Sequence, residues 1–310
     1  GEVQPEVLLP TFTFVSTANA FLLHGWRPVF CDVDPTTGNV TPETLAARIT
    51  PRTRAICPVH YAGVPADMEG IMALAAQHGL RVVEDAAQAF YAKDRGRSAG
   101  TIGDLGAFSF HETKNIGCGE GGALVVNAAD LHERARIVRE KGTNRSQWLD
   151  GHVDKYTWMD VGSSFLSSDV LAAMLLAQLE RYPELGAPRR HRVWSRYAER
   201  LAPLAERGRL RLPAPPARVE HNAHIFFVRV TGGLAERSAL IKALNGQGIG
   251  AAFHYPALHT TPQGQRVHDG TPLPRACELS DSLVRLPVTP EMTDEDVDRV
   301  CSAVEAFVGG

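Results

Sequence analysis

The 310 residues include 32 lysines and arginines, of which only five are lysines: Lys93, Lys114, Lys141, Lys155 and Lys242. The search for a nucleophilic amine is therefore short. Lys141 ends a helical pattern beside Gly142 and Lys242 lies inside one, where solvated roles are usual; Lys93 and Lys155 fall in polar loops. Lys114 differs. It follows the apolar run Leu105-Gly-Ala-Phe-Ser-Phe110 and precedes Asn115-Ile-Gly-Cys-Gly-Glu-Gly-Gly122, a tight turn where glycines let backbone and ligand come close. A partly desolvated amine in such a place has a lowered pKa and can attack an aldehyde. Taken alone, the segment reads first as a lysine on an ordinary β-hairpin loop.

A second group weighs against that plain reading. Val82-Val-Glu-Asp85-Ala-Ala-Gln88 places the carboxylate of Asp85 at the end of a buried strand, where it needs a partner. The protonated ring nitrogen of pyridoxal phosphate is one such partner, and the pair keeps that ring an electron sink for the carbanion left when an α-proton departs. Leaving a buried charge unpaired costs about 3–5 kcal/mol.

Two other patterns are set aside. Gly117-Cys-Gly119-Glu-Gly-Gly122 fits the letters of a dinucleotide fingerprint, but Ala123-Leu-Val-Val126 continues as a strand, so no helix N-terminus is offered to a pyrophosphate. His221-Asn-Ala-His224 is the tightest pair among 12 histidines, yet it opens the apolar run Ile225–Val230 and reads as polar residues at a strand mouth. No metal is expected. Five scattered cysteines without a CxxC pair are expected to be reduced thiols.

These residues need a frame to hold them. Short β-rich runs at Val7–Leu9, Pro28–Asp32, Arg54–Val59 and Leu80–Glu84 alternate with helical patterns at Ser16–Leu23, from the cap Thr41 with Pro42 to Ile49, and at Asp67–His78 with Gly79 behind it. Strand, helix, strand at this spacing predicts a largely parallel sheet with helices on both faces and a ligand at the carboxyl ends of the strands. Ser167–Leu201 is helical, interrupted near Pro183 and Pro188. A Pro-rich segment, Leu212–Pro216, precedes strand-like Ile225–Val230, a helix over Glu236–Gln247, a strand running into His254 and a last helix over Asp294–Val308. Two units are expected, a large one over 1–183 and a smaller α+β one over 184–310. The formal charge of -3 offers no basic face for nucleic acid, no apolar run is long enough to span a bilayer, and the start Gly1–Pro5 lacks the features of an export signal, so a cytoplasmic protein is expected.

Thr11-Phe-Thr-Phe-Val-Ser-Thr-Ala-Asn19, Glu84–Gln88, Ser109-Phe-His-Glu-Thr-Lys-Asn115, Gly119-Glu-Gly-Gly122 and Lys141-Gly-Thr-Asn-Arg-Ser-Gln147 together resemble the DegT/DnrJ/EryC1/StrS sugar aminotransferases. The resemblance is greatest to members that make dTDP-4-amino-4,6-dideoxygalactose, through the Lys114 and Arg145 motifs and Asp154-Lys-Tyr-Thr-Trp158. It implies the α/β fold of pyridoxal-phosphate-dependent transferases of fold type I. It implies that Lys114 tethers the cofactor covalently and shuttles the proton, with Asp85 on the pyridine nitrogen. Phe14 would lie on a ring face, Gln88 near the ring hydroxyl and Ser109 on the phosphate. Ser164, in Gly162-Ser-Ser-Phe165, would reach the phosphate from a second subunit in a homodimer with shared sites. Asn144, Arg145, His254 and Tyr255 are the candidates for holding the sugar nucleotide. Relatives with histidine in place of the lysine dehydrate their sugar instead; Lys114 points to transamination.

The expected reaction moves the amino group of L-glutamate to C4 of dTDP-4-keto-6-deoxy-D-glucose, giving the galacto or the gluco amino sugar. A different nucleotide keto-sugar, or a regulatory protein that binds the cofactor without turnover, are the alternatives. Relatives also carry, ahead of the equivalent of Pro5, a small-residue turn and helix N-terminus that cradle the cofactor phosphate, and Gln4–Val7 lacks a Gly-Asp that they insert; a longer natural protein is expected on that ground.

Overall fold

Runs of aliphatic residues closed by turn formers build the central sheet of the computed structural model, which describes residues 4–309; the opening Gly1–Val3, where no export signal was read, and Gly310 lie outside the described residues. The strands are β1 Glu6–Pro10, β2 Arg27–Cys31, β3 Thr53–Ile56, β4 Arg81–Asp85, the two-residue β5 Lys93–Asp94 and β6 Arg97–Ser98, then β7 Leu105–Ser109 and β8 Gly122–Val126. Six of them form one sheet in the order β2-β1-β3-β4-β7-β8. All neighbours in it are parallel except β7 and β8, which form an antiparallel hairpin. Every residue of β1 is buried, as a strand covered on both faces must be.

The crossovers are α1 Val15–Leu22, α2 Pro42–Ala46 and α3 Met68–His78. The expected punctuation is present. Thr41 caps α2 by accepting from Thr44 N at 3.3 Å, while Thr44 Oγ1 accepts from Thr41 N at 2.9 Å, and Gly79 closes α3 with φ +64°.

Beyond the sheet run α4 His132–Arg139, α5 Arg145–Leu149, α6 Asp169–Arg181 and α7 Ala187–Glu206, followed by β9 Leu210–Arg211, β10 Val219–Glu220, β11 Phe226–Val230, α8 Gly233–Asn245, α9 Pro262–Val267, α10 Pro274–Ser282, β12 Leu283–Leu286 and α11 Asp294–Gly309. Three differences from expectation have local causes. Pro183 sits in a wide π-type turn, Tyr182–Gly186, that joins α6 to α7, and Pro188 stands in the first turn of α7, where no N–H is required, so the interruption is smaller than two prolines suggested. Lys93 belongs not to a loop but to β5, which pairs with β6 and with β10 more than a hundred residues on. The strand expected to run into His254 is reduced to one bridge, Ala252 with Arg285.

Two large apolar clusters result. One gathers Leu8, Phe12, Ile56, Tyr61, Met68, Ile71 and Val82 under the sheet, together with Ile225, Phe227, Leu279 and Leu283 from the C-terminal part. The other is built from Val193, Tyr197, Leu201, Phe226, Val228, Leu240, Val284 and Val304. β11 therefore faces both, odd-numbered residues to the first and even-numbered ones to the second. Buried Arg229 joins the two parts, donating to Pro35 O at 2.7 Å, Glu278 at 2.7 Å and Ser282 Oγ at 3.1 Å.

Candidate active site

The carboxyl ends of β1, β3, β4 and β7 converge where the parallel sheet predicts a ligand. Asp85 is the last residue of β4, anchored by Asp85 N to Pro58 O at 2.9 Å and His60 N to Asp85 O at 3.1 Å. Its Oδ2 accepts from Thr17 Oγ1 at 2.7 Å, and Thr17 in turn contacts Thr13 at 2.9 Å; Oδ1 accepts from Ala87 N at 3.1 Å. The carboxylate is thus oriented by neutral donors, and no arginine or lysine forms an ion pair with it among the described residues.

Lys114 stands on the β7–β8 turn, which is closed by Lys114 N to His111 O at 2.9 Å and Phe110 N to Gly121 O at 2.8 Å. Burial holds its ammonium below the usual lysine range, and the charge of Asp85 opposes this only in part. Among the described residues its amine donates to no side chain. A desolvated, uncommitted amine that feels one carboxylate brings together the two residues singled out in the sequence.

Gln88, Tyr255, His254 and Phe14 join them. Gln88 Oε1 accepts from Ala62 N at 2.7 Å and Nε2 donates to Tyr255 Oη at 3.0 Å. Tyr255 stacks on His254 at 3.6 Å between centroids and lies 6.1 Å from Phe14, whose ring is more than half exposed. Burial lifts the Tyr255 phenol to about 12, with Asp85 adding to the rise. His254 is driven down to about 2 by burial and then by the positive charges around it. It stays neutral and shares a hydrogen bond of 2.7 Å between Nδ1 and Tyr61 Oη, so its ring supports Tyr255 rather than carrying charge.

Ser109 ends β7, its Oγ accepting from His111 N at 3.3 Å. The remaining candidates gather elsewhere in the subunit. Arg145 opens α5 rather than lying in a loop, and its guanidinium pairs with Glu140 at 2.5 Å. Asn144 Oδ1 accepts from Thr157 N at 2.7 Å, and Ser164 bridges to Glu140. Within the chain no hydrogen bond or ion pair joins Asn144, Arg145 or Ser164 to Lys114 among the described residues.

Several residues of the site were not read from the sequence. Glu84, fully buried, receives four donors: His60 Nε2 at 2.8 Å, Gly100 N at 2.8 Å, and Ile102 N and Gly103 N both at 2.6 Å. Desolvation pushes its carboxyl up, but His60 and the backbone donors outweigh that and leave it below the ordinary value. Because His60 Nδ1 accepts from Ala66 N at 3.1 Å, Nε2 carries the hydrogen, and a neutral imidazole satisfies both ends. Asn115, beside Lys114, accepts on Oδ1 from His224 Nδ1 at 2.8 Å and donates to Asn222 O at 2.9 Å and Tyr182 Oη at 3.1 Å. Asn222 donates to Gln88 O and Phe90 O, both at 2.8 Å, and can approach only because Gly63, at φ +77°, has no Cβ; one there would lie 1.7 Å from Asn222 Oδ1. This network ties the Lys114 turn to the Gln88 segment. The one available signal was the Glu84-Asp85 pair itself, since two adjacent carboxylates at a buried strand end must find separate partners.

The aromatic rings of Phe14 and Tyr255, the Gln88 amide, the oriented carboxylate and the uncommitted amine fit a flat, cationic heteroaromatic aldehyde. Over residues 2–305 the chain matches the DegT/DnrJ/EryC1/StrS aminotransferase family. It is 38% identical over 309 residues to UDP-N-acetyl-3-dehydro-alpha-D-glucosamine 3-aminotransferase of Acidithiobacillus ferrooxidans, covering 98% of this chain and 78% of that protein. The crystal structure of the aminotransferase TlmJ from Streptoalloteichus hindustanus superposes with a TM-score of 0.89 at 34% identity, over 99% of this chain and 80% of that one. Spr1654 from Streptococcus pneumoniae, solved in a PLP-form, superposes with a TM-score of 0.88 at 25% identity, over 99% and 82%.

Proposed function

The chain belongs to the DegT/DnrJ/EryC1/StrS aminotransferase family, whose members depend on pyridoxal phosphate, and on that premise we propose that it moves the amino group of L-glutamate to C4 of dTDP-4-keto-6-deoxy-D-glucose. The observation that carries transamination is the desolvated, uncommitted amine of Lys114 facing the oriented carboxylate of Asp85. The dTDP-4-keto sugar is supported by the Ser109–Asn115, Lys141–Gln147 and Asp154–Trp158 motifs.

Pyridoxal phosphate supplies an aldehyde that carries nitrogen between substrates and a ring that accepts the electron pair freed when the donor loses its α-proton. Lys114 would hold it covalently through Nζ and then, as a free amine, take the proton from the donor α-carbon and return one to the cofactor; the low ammonium pKa suits that base role. Asp85, fixed by Thr17 and Ala87, would keep the ring nitrogen protonated. Phe14 would lie on one ring face, Gln88 by the ring hydroxyl and Ser109 by the phosphate. Across the whole cycle the C–N bond of glutamate is replaced by a carbonyl in 2-oxoglutarate, and the sugar carbonyl by a C–N bond, with no external oxidant or reductant.

The site is completed in this reading by a second copy. α6 has no buried residue and carries Val170 72% exposed, and Trp158 (76%), Val161 (77%) and Phe165 (66%) before it extend this apolar surface. That surface adjoins the active turn through Gly117 N to Gln178 Oε1 at 3.2 Å. An apolar face of this kind is what a dimer covers. Ser164 of one copy would then reach the cofactor phosphate of the other, and Asn144 and Arg145 its sugar nucleotide, with His254 and Tyr255 on the sugar from the same copy. We assign cofactor binding to residues 1–183 and the smaller unit to 184–310.

A UDP-linked 3-keto sugar is the second reading, favoured by the 38% identity to the Acidithiobacillus enzyme. Incubation of the cofactor-loaded protein with L-glutamate and each keto-sugar, followed by NMR of the product's ring-proton couplings, decides. Amine at C4 of the dTDP sugar is the expected result and also separates galacto from gluco. Amine only at C3 of the UDP sugar overturns the substrate, and an unchanged cofactor absorbance with glutamate alone overturns the enzyme in favour of a non-catalytic binding protein.

A further inference from the structure

Resting on the aminotransferase reading, this inference concerns which acid serves as donor. Arg285 stands in β12 directly opposite Phe227 of β11, and such pairs project on one face. That face looks towards Tyr61, whose ring lies 6.1 Å from Phe227. Arg285 also exchanges backbone hydrogen bonds with Ala252 at 2.8 and 3.3 Å, and Ala252 leads into His254 and Tyr255. The guanidinium accordingly lies among Tyr61, His224, His254 and Tyr255, each of which feels its charge.

Of the other interior arginines, Arg190 donates to the carbonyls of Ala223 at 3.2 Å and His224 at 2.7 Å and Arg229 to Glu278, while Arg237, whose Nε is also unpartnered, spends its guanidinium on Ser280 O and the Phe253 ring. The Arg285 side chain donates to nothing among the described residues. Its Nε is buried without a hydrogen-bond partner, and no carboxylate pairs with it among the described residues. A buried donor left unsatisfied is costly and marks a place where a ligand completes the bonding. Two neighbouring imidazoles are held neutral, and Asp85 is taken by Thr17, so the anion has to come from outside the chain. The hexose of the nucleotide sugar is neutral and its diphosphate belongs to the part assigned above to Asn144 and Arg145, whereas an amino-acid donor carries one carboxylate or two, matched by the guanidinium fork.

We propose that Arg285 receives a carboxylate of the amino donor. Charge-assisted hydrogen bonds of this sort are worth about one to two decades in affinity. Titration calorimetry with succinate, a dicarboxylate that cannot react, should show binding to the cofactor-loaded protein weakened on the order of 10–100-fold by Arg285→Gln and partly restored in Arg285→Lys. The KM for L-glutamate should rise alike while that for the keto-sugar stays constant. A rise confined to L-glutamate identifies the distal carboxylate, and a rise shared with L-alanine the α-carboxylate. Unchanged succinate binding and glutamate KM, or a loss on the keto-sugar side instead, overturns the proposal. Succinate binding needs no turnover, so a protein that aminates no sugar still decides the role of Arg285. Melting curves and cofactor absorbance identify a misfolded Gln variant, in which case Arg285→Lys, retaining the charge without the fork, carries the comparison.

Discussion

Glu84→Gln is a nearly isosteric change with a large expected effect. Four donors converge on the carboxylate: Oε1 takes Ile102 N and Gly103 N, and Oε2 takes His60 Nε2 and Gly100 N. A glutamine has one acceptor oxygen and one NH2 group, so in either flip two donors meet a donor. His60 cannot relieve this by changing tautomer, because its Nδ1 would then present a hydrogen to Ala66 N–H. Two lost hydrogen bonds to a charged acceptor, at about 1.5–3 kcal/mol each, predict destabilisation of about 3–6 kcal/mol. At roughly 2 °C per kcal/mol for a chain of this size, the melting temperature should fall by about 6–12 °C. Differential scanning calorimetry measures it, with urea unfolding as a second probe. Because the next residue is Asp85, held by the same backbone, cofactor affinity should fall with stability. A variant melting within about 2 °C of the parent would refute the argument that this charge organises the strand end.

Two further outcomes follow from the same geometry. Lys114→Ala should abolish the visible absorbance of the covalently held cofactor and reduce turnover by at least about three decades, as for loss of a nucleophile that is also the base, while pyridoxamine phosphate still binds in equilibrium dialysis; retained turnover would remove Lys114 from its role. Acid should weaken the fold through its buried histidines: His221 is lowered to about 4 and His254 to about 2, both chiefly by burial, and His224 is lowered likewise. Since the folded values lie below the unfolded one, this stability is complete above about pH 6.5 and declines as the pH falls towards the folded values, by up to about 2 kcal/mol per histidine at pH 5. Melting temperatures at pH 7.5 and 5 that coincide would contradict it.

The elements that repeat locally were legible. Aliphatic runs gave the parallel strands, and Thr41, Pro42 and Gly79 gave helix ends, because each signal acts within a few residues. Lys114 stood out by scarcity and Asp85 by its place at a strand end. What stayed hidden depends on neighbours far apart in sequence. β5 has β10, more than a hundred residues on, as its second neighbour beside β6, and the run before His254 forms a bridge rather than a strand because β12 offers it one residue. His224 gains its meaning from Asn115, 109 residues earlier. Arg145 was expected on the sugar nucleotide, yet a buried Glu140 five residues before it pairs with the guanidinium.

Sharing β11 between two apolar clusters raises a problem of alignment. Shifting the strand by one position would exchange Ile225 and Phe227 for Phe226 and Val228, and oil would still meet oil on both sides. Greasiness is thus blind to the error. Arg229 is not, for the slip would turn its cation into an apolar interior, away from Pro35, Glu278 and Ser282. A single misplaced charge thereby acts as the strand's proofreader, and Phe227 comes to rest opposite Arg285 because that check has been passed.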